Sequence, residues 1–110
     1  MLYRSTDAET FKKVNKIFIN DTVAQLIELK EIIGKEHFAA AADLAHQVKG
    51  AASAVGGGEF AGVCSKLEVA AEAGDREKAE DLLESGNKAF SRLRKAIQIA
   101  IEKSGEGASN

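Results

Sequence analysis

The sequence contains no proline, so nothing in it forces a helix to kink or stop through a missing backbone donor. It contains no tryptophan, and aromatic residues make up only 5% of the chain. A core must therefore be assembled from Leu, Ile, Val and abundant Ala, a composition that favours closely packed helices. There is a single cysteine, Cys64, which excludes an internal disulfide and a cysteine-rich metal site. An excess of basic charge is also missing. The formal net charge is −2 with both signs interspersed, so the electrostatic footprint of a nucleic-acid-binding protein is absent. No apolar run is long enough to span a bilayer, and "MLYRSTDAETFKKV" at the N-terminus lacks the apolar centre of a signal peptide. These absences make the cytoplasm the expected location and membrane insertion an unexpected one.

At 110 residues the chain fits one domain with a modest core. Helical periodicity is present along most of it, and strand-like alternation is not. Thr6 and Glu9 have the spacing of a capping box, after which Phe11, Val14, Ile17 and Phe18 recur at helical intervals. Asn20–Asp21–Thr22 reads as either a brief break or a new N-cap before the series Val23, Leu26, Ile27, Ile33, with Gly34 as a C-terminal stop. A further helix is expected from about Lys35 to Val55. Gly56–Gly57–Gly58 is the strongest break in the chain. Phe60, Val63, Cys64, Leu67 and Ala71 then form one amphipathic stripe. Gly74 and Asp75 read as the next stop and N-cap, and Ala79 to Ile101 as the last apolar face. The expected fold is all-α: an up-down antiparallel four-helix bundle with an additional N-terminal helical segment. It occupies residues 1–104, and the polar, glycine-rich residues 105–110 form a flexible tail.

The stretch "LAHQVKGAASAVG", residues 44–56, is the least ordinary part. With about 100° per residue and Leu44 at zero, Val48, Val55 and Ala51 cluster near the origin as a core stripe. His46 falls at about 200°, with Lys49, Gly50 and Ser53 on its side of the helix. Ala39 and Ala42 share that face, and Asp43 adjoins it. An ordinary solvated face would carry long charged side chains. This one is stripped to Ala, Gly and Ser around a histidine, and Gly50 costs about 1 kcal/mol relative to alanine in a helix interior. Two readings follow from the geometry: an incidental surface histidine, or a docking face with His46 at its centre and clearance around it.

"AHQVKGAASAVGGGEF", followed by "CSKLE" and "AGD", resembles the histidine-containing phosphotransfer (HPt) domains of phosphorelay signalling. Ala45, His46, Val48, Lys49, Gly50, Gly56, Phe60, Cys64, Leu67 and Glu68 fill that family's pattern. The likeness is close over residues 37–75, and the flanking helices fit by length. The triple glycine departs from the family's usual larger residues and is expected to loosen the turn.

The resemblance implies phosphorylation on His46 by an aspartyl-phosphate receiver domain or an upstream kinase, and return of the phosphoryl group to a receiver aspartate. The partners it implies are the receiver of a response regulator, a hybrid sensor histidine kinase, or both. It implies neither ATP binding nor autokinase activity, and no cofactor of the chain's own, Mg²⁺ being supplied by the receiver.

On the fourth stripe, with Phe60 at zero, Glu68 lies at about 80°. From there it could reach His46 Nδ1–H, fix the tautomer and leave Nε2 as the attacking atom; its other reading is a rim glutamate in helix salt bridges. Lys49 either offsets phosphoryl charge and meets the acidic receiver site, or is simply solvated. Ala39, Ala42, Asp43 and Ser53 make up the expected docking surface, which favours a monomer. Cys64 reads as a small buried hydrophobe, His37 as a packing or capping residue, and Gln47 has no clear role. Two rival readings remain: a helical docking module in the same pathways without phosphotransfer, and a helical enzyme using His46 as a general base.

Overall fold

The computed structural model describes residues 8–109, with side chains described through Lys103. Four helices follow in order, α1 Ala8–Gly34, α2 Phe38–Ala54, α3 Gly58–Glu72 and α4 Arg76–Ser109, and among the described residues there is no strand. Each helix packs on its sequence neighbour, and α1 closes the ring against α4, the arrangement that short loops between antiparallel helices impose.

Residues 8–34 form one helix, and no separate N-terminal helical segment precedes the bundle within them. Asn20 and Asp21 do not break it because both face solvent, while Phe18, Thr22, Leu26, Leu29 and Ile33 are buried along one side. Packing of that stripe outweighs the modest local preference of Asn and Asp for turns. Thr6 lies outside the described residues. At the other end α4 continues to Ser109, past the point where the glycines predict a loose tail; with no proline among residues 104–109, nothing removes a backbone donor there.

Three turns join the helices, and each is a Schellman closure. At the first, His37 N–H donates to Ile32 O at 2.9 Å and Glu36 N–H to Ile33 O at 3.0 Å. The left-handed residue that this geometry needs is Glu36, at φ 59°, and Gly34 is merely the last helical residue. His37 then occupies the N-cap of α2 through its backbone; its side chain is exposed and makes no capping bond. At the third turn Gly74 takes φ 67°, and Asp75 caps α4 by accepting the Lys78 backbone N–H at 3.1 Å on Oδ1.

The triple glycine is not a loose turn. Gly56 supplies the left-handed residue at φ 82°, while Gly57 N–H donates to Ala52 O at 2.8 Å. Gly57 is buried, and a Cβ there would stand 2.6 Å from Leu93 Cδ2 and 3.2 Å from Ala52 O. Close approach of α4 to the turn therefore requires the middle glycine. Above the turn the Phe90 ring meets Phe60 at 5.4 Å and Phe18 edge-on at 6.2 Å between centroids, which ties α1, α3 and α4 together at the level where α2 ends.

α1 and α4 are longer than the other two helices. At 1.5 Å per residue α4 is about 51 Å long, twice the roughly 25 Å of α2, so α1 and α4 run on as a pair beyond the turn between α2 and α3.

Candidate functional site

The buried residues of α2 are Ala41, Ala42, Leu44, Ala45, Val48 and Ala52. Ala51, expected in the core, is exposed, and Val55 is only half-buried. The stripe is thus rotated towards Ala45 and Ala41, because α2 packs most closely on α3 and alanines allow that approach. One expected docking residue changes role as a result: Ala42 is 8% exposed and is covered rather than presented. Ala39, Asp43, His46, Gly50 and Ser53 are all exposed.

The same rotation carries Lys49 to the boundary with α3, where it is half-buried. His46 and Lys49 converge there on a single oxygen of Glu68. His46 Nδ1 lies 3.2 Å from Glu68 Oε1, and Lys49 Nζ lies 3.3 Å from it. Both distances are at the long end for N–H···O contacts, as expected when two donors share one acceptor. The His46 side chain is 65% exposed and that of Glu68 only 21%, so the carboxylate sits at the base of the ring and the imidazole stands above it. Burial alone would raise the Glu68 carboxyl. The bonds from His46 and Lys49, together with the Lys49 charge, outweigh it and hold the group below its ordinary value of 4.5. Glu68 is therefore ionised at neutral pH and acts purely as an acceptor. When the ring is neutral, an Nδ1–H donating to this carboxylate leaves the lone pair on Nε2, which has no partner among the described residues.

Gly50 is exposed, and a Cβ built on it meets nothing within 4 Å. No helix of this bundle needs that glycine for clearance, so its space opens to solvent on the side of His46. Further along α2, towards its N-terminus, Ala39, Ala42 and Asp43 form one wall of a shallow groove whose other wall is Ala71 to Gly74. Cys64 is 2% exposed, and burial pushes its thiol up to about 12, which suits a small core residue and not a nucleophile. Among the described residues no three of His, Cys, Asp and Glu are placed to hold a metal ion, and no helix is long and apolar enough to cross a membrane.

The Hpt domain family model matches residues 14–103. The chain belongs to the Hpt family. No curated protein and no solved structure matches it. Hpt domains are histidine phosphotransfer modules of phosphorelays, lack a kinase catalytic domain, and interact there with receiver and kinase domains. The Hpt match spans all four helices and so includes both sides of the cluster formed by His46, Lys49 and Glu68.

The contact of Glu68 with His46 Nδ1 is one of the two placements that the helical wheels leave open for Glu68. They do not predict the convergence of Lys49 on the same oxygen. Its signal was present in Ala41, Ala45 and Ala52, whose small size marks the side on which α2 can approach α3 closely.

Proposed function

We propose that His46 is the phosphoacceptor of this Hpt domain and that the chain relays a phosphoryl group between receiver aspartates, or from an upstream kinase to a receiver. The observation that carries the reading is the exposed imidazole whose Nδ1 is engaged by a carboxylate while Nε2 stands free. In the forward step Nε2 attacks the phosphorus of an aspartyl phosphate. The N–P bond forms, the bond from phosphorus to the aspartyl oxygen breaks, and the aspartate leaves with the electron pair. The Nδ1 proton stays where it is, so the phosphorylated ring is cationic and Glu68 stabilises it. The return step reverses this, a receiver carboxylate oxygen attacking phosphorus as the N–P bond breaks.

Such transfers depend on alignment and charge stabilisation more than on covalent chemistry by the protein. Glu68 aims the ring. Lys49, at the rim, offsets charge on the transferring group or on the acidic receiver site. Gly50 gives the receiver room beside the ring, with Ala39, Asp43 and Ser53 around it. Mg²⁺, which neutralises phosphoryl charge, belongs to the receiver in this scheme.

The test is to incubate the protein with a phosphorylated receiver and look for label that is acid-labile and base-stable. Label on the wild type and none on His46→Gln is the expected result. An unlabelled wild type, or a His46→Gln variant labelled equally, would sink the proposal. Lys49→Ala should slow exchange with the receiver while leaving the fold intact, and unchanged kinetics would make Lys49 a solvated bystander.

A further inference from the structure

The chain has two histidines, His37 and His46, and both are exposed. They differ in what meets their rings. His37 makes no side-chain capping bond and no ion pair among the described residues. His46 Nδ1 lies 3.2 Å from Glu68 Oε1. The Glu68 side chain is only 21% exposed, so solvent and salt screen its charge less than that of an open surface carboxylate. Lys49 Nζ, 3.3 Å from the same oxygen, draws on the same charge. One imidazole is tied to a carboxylate that a lysine shares, and the other is tied to nothing.

That contrast matters once a ring carries a phosphoryl group on Nε2. When water attacks phosphorus, the P–N bond breaks, its electron pair passes to Nε2 and inorganic phosphate departs. With a proton on Nδ1 the ring leaves as neutral imidazole. Without that proton it would leave as an imidazolate anion, a far poorer leaving group. The Nδ1 proton thus decides how long a phosphorylated histidine lasts. A carboxylate at hydrogen-bond distance favours the protonated ring, and a nearby ammonium disfavours it.

We propose that Glu68 sets the lifetime of the phosphorylated state. By keeping the proton on Nδ1 it holds the P–N bond labile, and Lys49, sharing the oxygen, tempers that hold. This role rests on the reading of His46 as phosphoacceptor, and it makes the domain a carrier that passes its phosphoryl group on and does not store it. Onward transfer to an aspartate breaks the same bond and gains from the same proton. The other charged groups on this side are Asp43, one turn before His46 on α2, and Glu72, one turn beyond Glu68 on α3. Both are exposed, and neither makes a hydrogen bond to His46. α1 and α4 form the opposite side of the bundle.

Potassium phosphoramidate phosphorylates imidazoles with no kinase or receiver present, and it serves to load both histidines of the full chain. After the donor is removed, phosphorus NMR follows the Nε2 adducts across pH, with His46→Gln and His37→Gln assigning the signals. At low pH both rings are protonated and should decay alike. As pH rises, phosphate on His37 should become long-lived first, while that on His46 decays about threefold to tenfold faster. Glu68→Gln keeps an acceptor, removes the charge, and should bring His46 to the lifetime of His37. Lys49→Ala should shorten the His46 lifetime further. A loosened fold would not send the two variants in opposite directions. Equal lifetimes on the two histidines at every pH, or a Glu68→Gln variant that decays like the wild type, overturns the proposal. A longer-lived Lys49→Ala variant overturns the sharing of the oxygen. Because no receiver takes part, failed labelling by a receiver would sink the relay and leave these lifetimes as measured.

Discussion

Lys49 Nζ stands 3.3 Å from Glu68 Oε1, the oxygen that also holds His46 Nδ1. A cation and an imidazole therefore depend on one carboxylate, and Glu68 is the residue whose loss disturbs both. Glu68→Ala should leave the fold intact, since the side chain is at the rim, and slow phosphotransfer by about ten- to a hundredfold through lost ring alignment. Rates measured against a phosphorylated receiver check this; an unchanged rate removes the orienting role.

The same cluster sets a pH dependence. The folded Glu68 carboxyl is depressed below 4.5 by its two partners against the opposing effect of burial. Its contribution to the native state is present above the ordinary glutamate value and is lost as pH falls through the depressed one. A carbon-detected titration of Glu68 should find its midpoint below 4.5, and Lys49→Ala should move that midpoint upward. A midpoint that ignores Lys49 would show that the contact at 3.3 Å carries little electrostatic weight.

Gly50 offers a separation of stability from function. With nothing within 4 Å of an added Cβ, Gly50→Ala should stabilise the fold by about 1 kcal/mol from helix propensity. Receiver-dependent transfer should weaken in the same variant. Denaturant unfolding beside transfer kinetics reads both effects, and a variant that is more stable and equally fast would place docking elsewhere.

Two turn residues should respond in opposite directions. Gly57→Ala pushes a methyl group into Leu93 Cδ2 and Ala52 O and should cost about 1–3 kcal/mol. Glu36→Gly relieves a left-handed φ of 59° and should gain up to about 1 kcal/mol, the strain of about 1–2 kcal/mol being offset by the greater freedom of glycine in the unfolded chain. Thermal or chemical unfolding of the two variants measures both.

The Cys64 thiol, raised to about 12 by burial, should resist alkylation in the native protein at pH 8 and react readily in denaturant. Modification at equal rates in both states would contradict its burial.

Most of the architecture could be read from residue spacing because glycines and apolar stripes act locally. Gly56 and Gly74 mark their turns by a left-handed backbone and Asp75 by its capping carboxylate, and the stripe from Phe60 to Ala71 has one reading. The errors have a common origin in packing. Asn20 and Asp21 look like a break only when the buried Phe18, Thr22 and Leu26 beside them are ignored. Gly34 looks like a left-handed terminator, yet the bonds to Ile32 and Ile33 put that role on Glu36. The buried stripe of α2 lies about 60° from the line of Leu44, Val48 and Val55, because Ala41, Ala45 and Ala52 carry the packing against α3. That offset concealed both the burial of Ala42 and the approach of Lys49 to Glu68. The exposure of His46 is the same with either placement of the core stripe, because it lies far enough from both to face outward.

The unequal lengths of the helices divide the molecule mechanically. Beyond Gly57 the bundle narrows from four helices to two, so local opening is expected to cost least there and more towards the Phe90 ring, which meets Phe18 and Phe60. His46 and Glu68 lie on the far side of that ring, more than two helical turns from the Gly56–Gly58 corner. Breathing of the long end can therefore proceed without changing the angle at which the imidazole is offered.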